Sequence, residues 1–200
     1  MNTVSYFAEA TIPTVDHGVF RVYGFKDESG NEHLAWVAGD VPAEGALVRI
    51  HSECLTGEAF SSAKCDCGPQ LDAALDLIQE SSGVVLYLRG HEGRGIGLLN
   101  KLQAYHLQQD GLDTVDANLA LNLPADARDY SPAVGMLHYL GVKSVRLLSN
   151  NTDKVAQLHR YGVPVVERLP LIVGVGTFNR KYLKIKRERM GHIIPEGALQ

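Results

Sequence analysis

The sequence predicts an α/β fold: a mixed β-sheet with helices packed on it, preceded by an N-terminal β meander. Three observations predict it. The first forty or so residues are dense in strand formers broken by turn residues. After Cys67 the hydrophobic period changes to that of a helix. From there on, short apolar runs alternate with helical stripes, the pattern of a sheet carrying helices on its faces.

The elements follow in order. Residues 19–25 (Val-Phe-Arg-Val-Tyr-Gly-Phe) read as a strand, residues 27–31 as a turn and residues 33–37 as the next strand. Residues 46–51 form a short strand running directly into Cys54. Leu71, Ala74, Leu75 and Ile78 recur at i, i+3, i+4 and i+7, the stripe of an amphipathic helix. Residues 84–88 are an apolar run of buried-strand length, emptying into a turn with Gly90, Gly93, Gly95 and Gly97. A helix follows from about Leu98 to Gln109. Ser131 with Pro132 reads as an N-cap followed by a first-turn proline, opening a helix that ends near Gly141. Residues 145–148 are strand-like, Thr152 offers a cap for a helix reaching His159, and residues 163–166 return as a strand. The whole chain, 1–200, reads as a single domain. Its tail from about 175 to 200, basic between Lys181 and Arg189, is expected to be mobile or interface-forming.

Composition narrows the function. Hydrophobic content of 45% and charged content of 21% are those of a soluble globular protein. No apolar run approaches the ~20 residues of a membrane span. The N-terminus lacks the charged and apolar regions of a secretory signal, so a cytoplasmic home is expected. A net charge of -4 argues against a nucleic-acid polymer as partner, because a polyanion needs a basic face. A small anion remains possible where a few Arg and Lys converge.

All three cysteines, Cys54, Cys65 and Cys67, fall within fourteen residues. Three thiolates at one point suit Zn²⁺ and leave its fourth position open, the mark of a catalytic site. A zinc ion there would lower the pKa of water from ~15.7 to about 7 and favour hydrolysis. Buried thiols, a disulfide framework, and a structural zinc completed by His51 are the alternatives on spacing alone. The glycine turn brings backbone amides close to a ligand, with Glu92 as acceptor and Arg94 as forked donor. A carboxylate there can accept two hydrogen bonds from a guanine edge, which adenine cannot donate. Asp126 and Arg128 precede a helix start, with a general base and a phosphate clamp as their candidate roles. Asn150, Asn151 and Lys154 make a third candidate anion site.

Together these pieces resemble the GTP cyclohydrolase II family over nearly the whole chain. The resemblance is carried by residues 49–57 (Arg-Ile-His-Ser-Glu-Cys-Leu-Thr-Gly), 64–68 (Lys-Cys-Asp-Cys-Gly), 91–98 (His-Glu-Gly-Arg-Gly-Ile-Gly-Leu), 126–130 (Asp-Ala-Arg-Asp-Tyr) and 170–174 (Pro-Leu-Ile-Val-Gly). It implies hydrolysis of GTP: the imidazole ring opens at C8, and formate and pyrophosphate leave. The product is 2,5-diamino-6-hydroxy-4-(5-phosphoribosylamino)pyrimidine, the first step of riboflavin biosynthesis. It implies one zinc held by Cys54, Cys65 and Cys67, Mg²⁺ with the triphosphate, and a homodimer. It maps GTP contacts onto Arg49, Ile50, His51, Ser52 and Glu53, onto Gln70, onto Glu92, Gly93 and Arg94, and onto Thr114, Ser149 and Lys154. Glu92 and Arg94 are expected near the base. Asp126 matches a proton acceptor, Arg128 a group acting at the α-phosphorus as nucleophile or clamp, and Tyr105 an active-site position. Departures are few: Ser149 stands where Thr is frequent, and Asn122 where Gly is common. The dihydroxybutanone-phosphate synthase domain fused to some relatives is not in this sequence, so one reaction is expected, not two. A guanine-nucleotide sensor with structural zinc, or a variant stopping at the formylated pyrimidine, would share much of this pattern.

Overall fold

Three antiparallel strands open the chain, as their β-branched and aromatic content predicts: β1 (Val4–Pro13), β2 (Val19–Asp27) and β3 (Glu32–Ala38). The computed structural model describes residues 4–199. β4 (Ala46–Ser52) leads through the single turn α1 (Leu55–Glu58) into α2 (Cys67–Ser81) and β5 (Gly83–Leu88). A tight turn, α3 (Glu92–Gly95), precedes α4 (Leu98–Gln109), α5 (Thr114–Ala120) and α6 (Ser131–Tyr139). Then come β6 (Val145–Leu148), α7 (Thr152–Arg160), β7 (Val165–Leu169), α8 (Arg180–Arg189) and a 3-10 turn, Glu196–Leu199.

The seven strands order as β1-β2-β3-β5-β4-β6-β7 in one mixed sheet. β3 pairs antiparallel with β5, whereas β5, β4, β6 and β7 are mutually parallel. β4 sits at the centre of that parallel half, with β5 on one side and β6 on the other. In parallel sheets, ligands bind beyond the carboxyl ends of strands at such a reversal of order. The C-terminal ends of β4, β5 and β6 lead to Glu53, Arg89 and Ser149, so the topology places a site there.

Each sheet face has its own core. Ala74 and Ile78 of α2 pack with Phe20, Leu47 and Val85 on one face. Ala133, Val134 and Leu137 of α6 and Leu158 of α7 pack with Val48, Ile50 and Leu86 on the other. The period of two along β4 therefore aims Arg49 and His51 at the α2 side and Ile50 into the opposite core.

Three local expectations differ from the structure. Ser131 is the first helical residue of α6 and not its cap; the Asp129 carboxylate accepts both its N–H (2.9 Å) and its hydroxyl (2.5 Å). Thr152 likewise opens α7, and the cap is Asn151, whose side chain accepts from Asp153 N–H. The last strand starts at Val165, because Val163 finishes α7 instead. Gly162 takes φ +86°, which turns Val163 N–H back onto Leu158 O at 2.9 Å.

Candidate functional site

The sulfurs of Cys54, Cys65 and Cys67 all lie within 4.8 Å of one another, with Cys54 and Cys65 3.7 Å apart. A tetrahedron with Zn–S bonds of ~2.3 Å has edges of ~3.8 Å, so the spacing fits that ion. Gly57 makes the convergence possible. A Cβ there would stand 2.7 Å from Cys65 Sγ and 3.2 Å from Cys54 Sγ. Cys54 ionises most readily of the three. Hydrogen bonds from Cys65 and Cys67 lower its pKa, burial opposes them, and Lys101 adds to the lowering. Cys65 and Cys67 are raised in turn by sharing with Cys54. His51 is not a fourth donor: its Nε2 donates to Glu58 Oε1 at 2.8 Å, and among the described residues the cluster consists of the three cysteines.

The glycine turn closes over this centre. Gly93 and Arg94 both take positive φ, 62° and 69°. For arginine that conformation is strained, and it swings the guanidinium onto Thr114, donating to its carbonyl (2.7 Å) and hydroxyl (3.2 Å). Glu92 is buried and both its oxygens are taken by protein donors. Oε2 accepts Leu55 N–H at 2.7 Å, and Oε1 accepts Lys101 Nζ at 2.6 Å. Its carboxylate thereby holds Lys101 against Cys54 Sγ, 3.2 Å away, a contact the sequence did not suggest. Burial alone would pull the Lys101 ammonium down, but the Glu92 bond and the neighbouring Tyr105 and Cys54 outweigh it and raise its pKa. Tyr105 borders the same space, with Lys64 Nζ 4.7 Å and Lys101 Nζ 5.6 Å from its ring centre.

Along the same cleft, cations converge. Arg49 and Lys154 are each 5% exposed. Arg49 donates to Leu148 O (3.0 Å) and Gln70 Oε1 (2.6 Å), and its buried Nε has no partner. Lys154 donates to Ile50 O at 2.6 Å. Burial, reinforced by Arg49, Arg128 and Lys186, drives the Lys154 pKa well below its usual value. Such a set is short of negative charge, and an anionic ligand would supply it. Ser149 Oγ accepts Asn151 N–H at 3.1 Å beside it. Ser52 bonds His91 Nδ1 at 3.1 Å, and Glu53 accepts Gly90 N–H at 2.9 Å.

Of the residues expected in the site, Ile50 and Asp126 do not line the cleft. Ile50 offers only its carbonyl, through Lys154. Asp126 stands behind Arg128 and grips it from two sides, Nε to Oδ1 at 2.8 Å and NH2 to Oδ2 at 2.5 Å. Lys101, Tyr182, Lys186 and His192 do line it, and sequence reasoning missed them as site residues.

The GTP cyclohydrolase II family profile matches residues 5–170. The chain belongs to the GTP cyclohydrolase II family. It is 51% identical over 195 residues to the GTP cyclohydrolase-2 of Neisseria meningitidis serogroup A, covering 96% of this chain and 98% of that one. Similarity is as high to riboflavin biosynthesis protein RibBA of Salinispora arenicola, 57% over 194 residues, and of Nocardia farcinica, 56% over 188 residues. The chain covers 96% and 92% of its own length in those matches but spans only 46% and 45% of the two longer proteins. A solved two-domain 3,4-dihydroxy-2-butanone 4-phosphate synthase, RibBX of A. baumannii, overlaps with a TM-score of 0.39 at 23% identity, covering 74% of this chain and 34% of that one. So slight an overlap carries no argument. In this chain the three cysteines and the buried cations line one cleft.

Proposed function

We propose that this chain is a GTP cyclohydrolase II: it hydrolyses GTP at C8 of the purine, releasing formate and pyrophosphate, with the diaminopyrimidine ribosyl phosphate as product. The observation that carries the reading is one cleft lined both by a trio of thiols and by buried cations. A purine nucleotide offers a partner to each, its ring toward the sulfurs and its triphosphate toward the cations. Cys54, Cys65 and Cys67 would hold one zinc, which when bound supplies a Lewis acid and a water made acidic near neutral pH. Lys101, fixed by Glu92, places positive charge beside Cys54, and Tyr105 borders the reacting ring. Mg²⁺ accompanies the triphosphate, a hard cation for phosphate oxygens.

Among the cations, Arg128 acts as a clamp. Burial alone would lower its pKa, but Tyr130 and the two bonds from Asp126 more than offset it, so the guanidinium stays charged. A charged guanidinium binds the departing pyrophosphate without giving up a proton. Asp126, itself held below the usual carboxylate range by those bonds against the opposing effect of burial, fixes the fork. Arg128→Lys keeps the charge but loses the fork that Asp126 holds, so pyrophosphate release should fall by about tenfold to a hundredfold and remain measurable. Loss of all detectable pyrophosphate release in that variant would favour a covalent role instead.

The enzyme is expected to work as a cytoplasmic homodimer; no described helix is long and apolar enough to cross a membrane. The deciding experiment incubates protein with GTP, Zn²⁺ and Mg²⁺, with formate and pyrophosphate counted separately and the product weighed by mass spectrometry. GTP bound but returned intact would leave only a nucleotide-binding protein. Formyl retained on the product would mark an enzyme that stops one step short.

A further inference from the structure

Residues beyond 170 lie outside the family match, yet they build one wall of the cleft with Tyr182, Lys186, Met190 and His192. Two of the segment's side chains reach the loop that carries the cysteines. Asn179, 2% exposed, sits at the N-terminus of α8 but does not cap its own helix. Its Nδ2 donates to Cys65 O at 3.2 Å and to Gly174 O at 2.8 Å. Lys186, two turns further along the same helix, donates to Asp66 Oδ1 at 2.9 Å. Asp66 is the residue between Cys65 and Cys67 and is 4% exposed. Its other oxygen accepts Gln70 Nε2 at 2.5 Å, and Gln70 Oε1 in turn accepts Arg49 NH2 at 2.6 Å. A short relay therefore runs from α8 through the cysteine loop to the cation end.

The helix has little apolar support of its own, a small cluster around Leu183, Ile194 and Leu199. Polar anchors hold the rest: Arg189 pairs with Asp113, the N-cap of α5, and with Asp116 inside it, Thr152 Oγ1 donates to Gly191 O at 2.9 Å, and Ile193 N–H to Asn150 O at 2.8 Å. A buried carboxylate such as Asp66 must keep its cation partner or turn toward water. It is held between two cysteines, so its partners fix the loop that carries both sulfurs.

We propose that α8 is a working part of this site: Asn179 and Lys186 are positioning residues that set the placement of Cys65 and Cys67 and, through Asp66 and Gln70, the orientation of Arg49. The inference rests on reading the site as a zinc and nucleotide centre. Partners just outside a metal's ligands typically change its affinity 10–100-fold.

The test measures Zn²⁺ affinity of the full chain by competition with a chromophoric chelator, a readout independent of turnover. Lys186→Met should bind zinc ~10–100-fold more weakly, and Asn179→Ala several-fold more weakly. Lys186→Arg, which keeps a cation opposite Asp66, should restore affinity to within about threefold. In turnover, KM for GTP should rise in Lys186→Met and recover in Lys186→Arg, because Arg49 is set through the relay. Folded Lys186→Met with zinc affinity and KM equal to the parent overturns the proposal. Should Lys186→Met fail to fold, Arg189→Ala replaces it, freeing the far end of α8 at the surface. A several-fold loss of zinc affinity there supports the proposal, and an unchanged affinity overturns it. A parent protein that holds zinc yet releases no formate sinks the functional reading and leaves this comparison of affinities standing.

Discussion

The two ends of the cleft are built in opposite ways. The sulfur end comes from one stretch of fourteen residues, Cys54 to Cys67, folded around Gly57. The cation end draws Arg49 from β4, Arg128 from the segment before α6 and Lys154 from α7. Soft donors to one ion must converge at bond-length distances, and a short loop does that with little chain entropy to overcome. Like charges repel, so nothing local gathers them; only a rigid sheet and its packed helices hold them together against that repulsion. The strain is visible in the neighbouring histidines. Burial, aided by Arg128 and Lys154, pushes the His91 pKa down to about 3. Burial, aided by Lys186 and Lys154, takes His192 to about 2.

The sharpest break between the two ends should come from Cys65→Ser. Zinc content and formate release are expected to fall on the order of 10³-fold or more, while GTP affinity changes by less than about threefold. Calorimetry showing GTP binding lost with the metal would mean the ends are one unit. Lys154→Met should do the reverse, weakening GTP by roughly 30–100-fold with zinc content unchanged. Next in size is the response to acid. Because His91 and His192 bind protons far less readily folded than unfolded, their contribution is intact above about pH 6.5 and is lost as pH falls toward about 3. Each should add about 1.4 kcal/mol per pH unit to the slope of stability in zinc-free protein, and pyrophosphate should flatten that slope by supplying negative charge. Urea midpoints between pH 4.5 and 7 whose slope survives replacement of both histidines by glutamine would remove this explanation. The smallest change concerns selectivity. Glu92→Gln should leave the GTP-over-ATP preference within about twofold, since its oxygens already serve Leu55 and Lys101. A collapse of that preference in steady-state kinetics would return Glu92 to the base.

Much of this was legible along the chain because its signals are local. The strand at residues 145–148, the helix from Leu98 to Gln109 and the stripe from Leu71 to Ile78 each rest on a run of side chains with one period. Caps were read less well: Ser131 and Thr152 look like caps, but Asp129 and Asn151 stand where a side chain can reach the first free amides. α5 and α8 carried no period that set them apart, and α8 is so basic that it resembles a solvated tail. What orders it is distant: Asp66, Asp113 and Asp116 supply its counter-charges. Lys101 was invisible for the same reason, since a lysine on a helix reads as surface until Glu92 and Cys54 are seen against it.

The sequence by itself determined the sulfur centre, the glycine turn and the alternation of strands with helices, since each depends on residues close together along the chain. Tertiary structure alone decided which lysines and arginines became one anion site, that Glu92 faces a protein cation, and that the basic C-terminal helix braces the cysteine loop. The last of these depends on charges meeting across more than a hundred residues of chain, from Asp66 to Lys186. Such a meeting has no signature in spacing, because the sheet and not the backbone between them sets the distance.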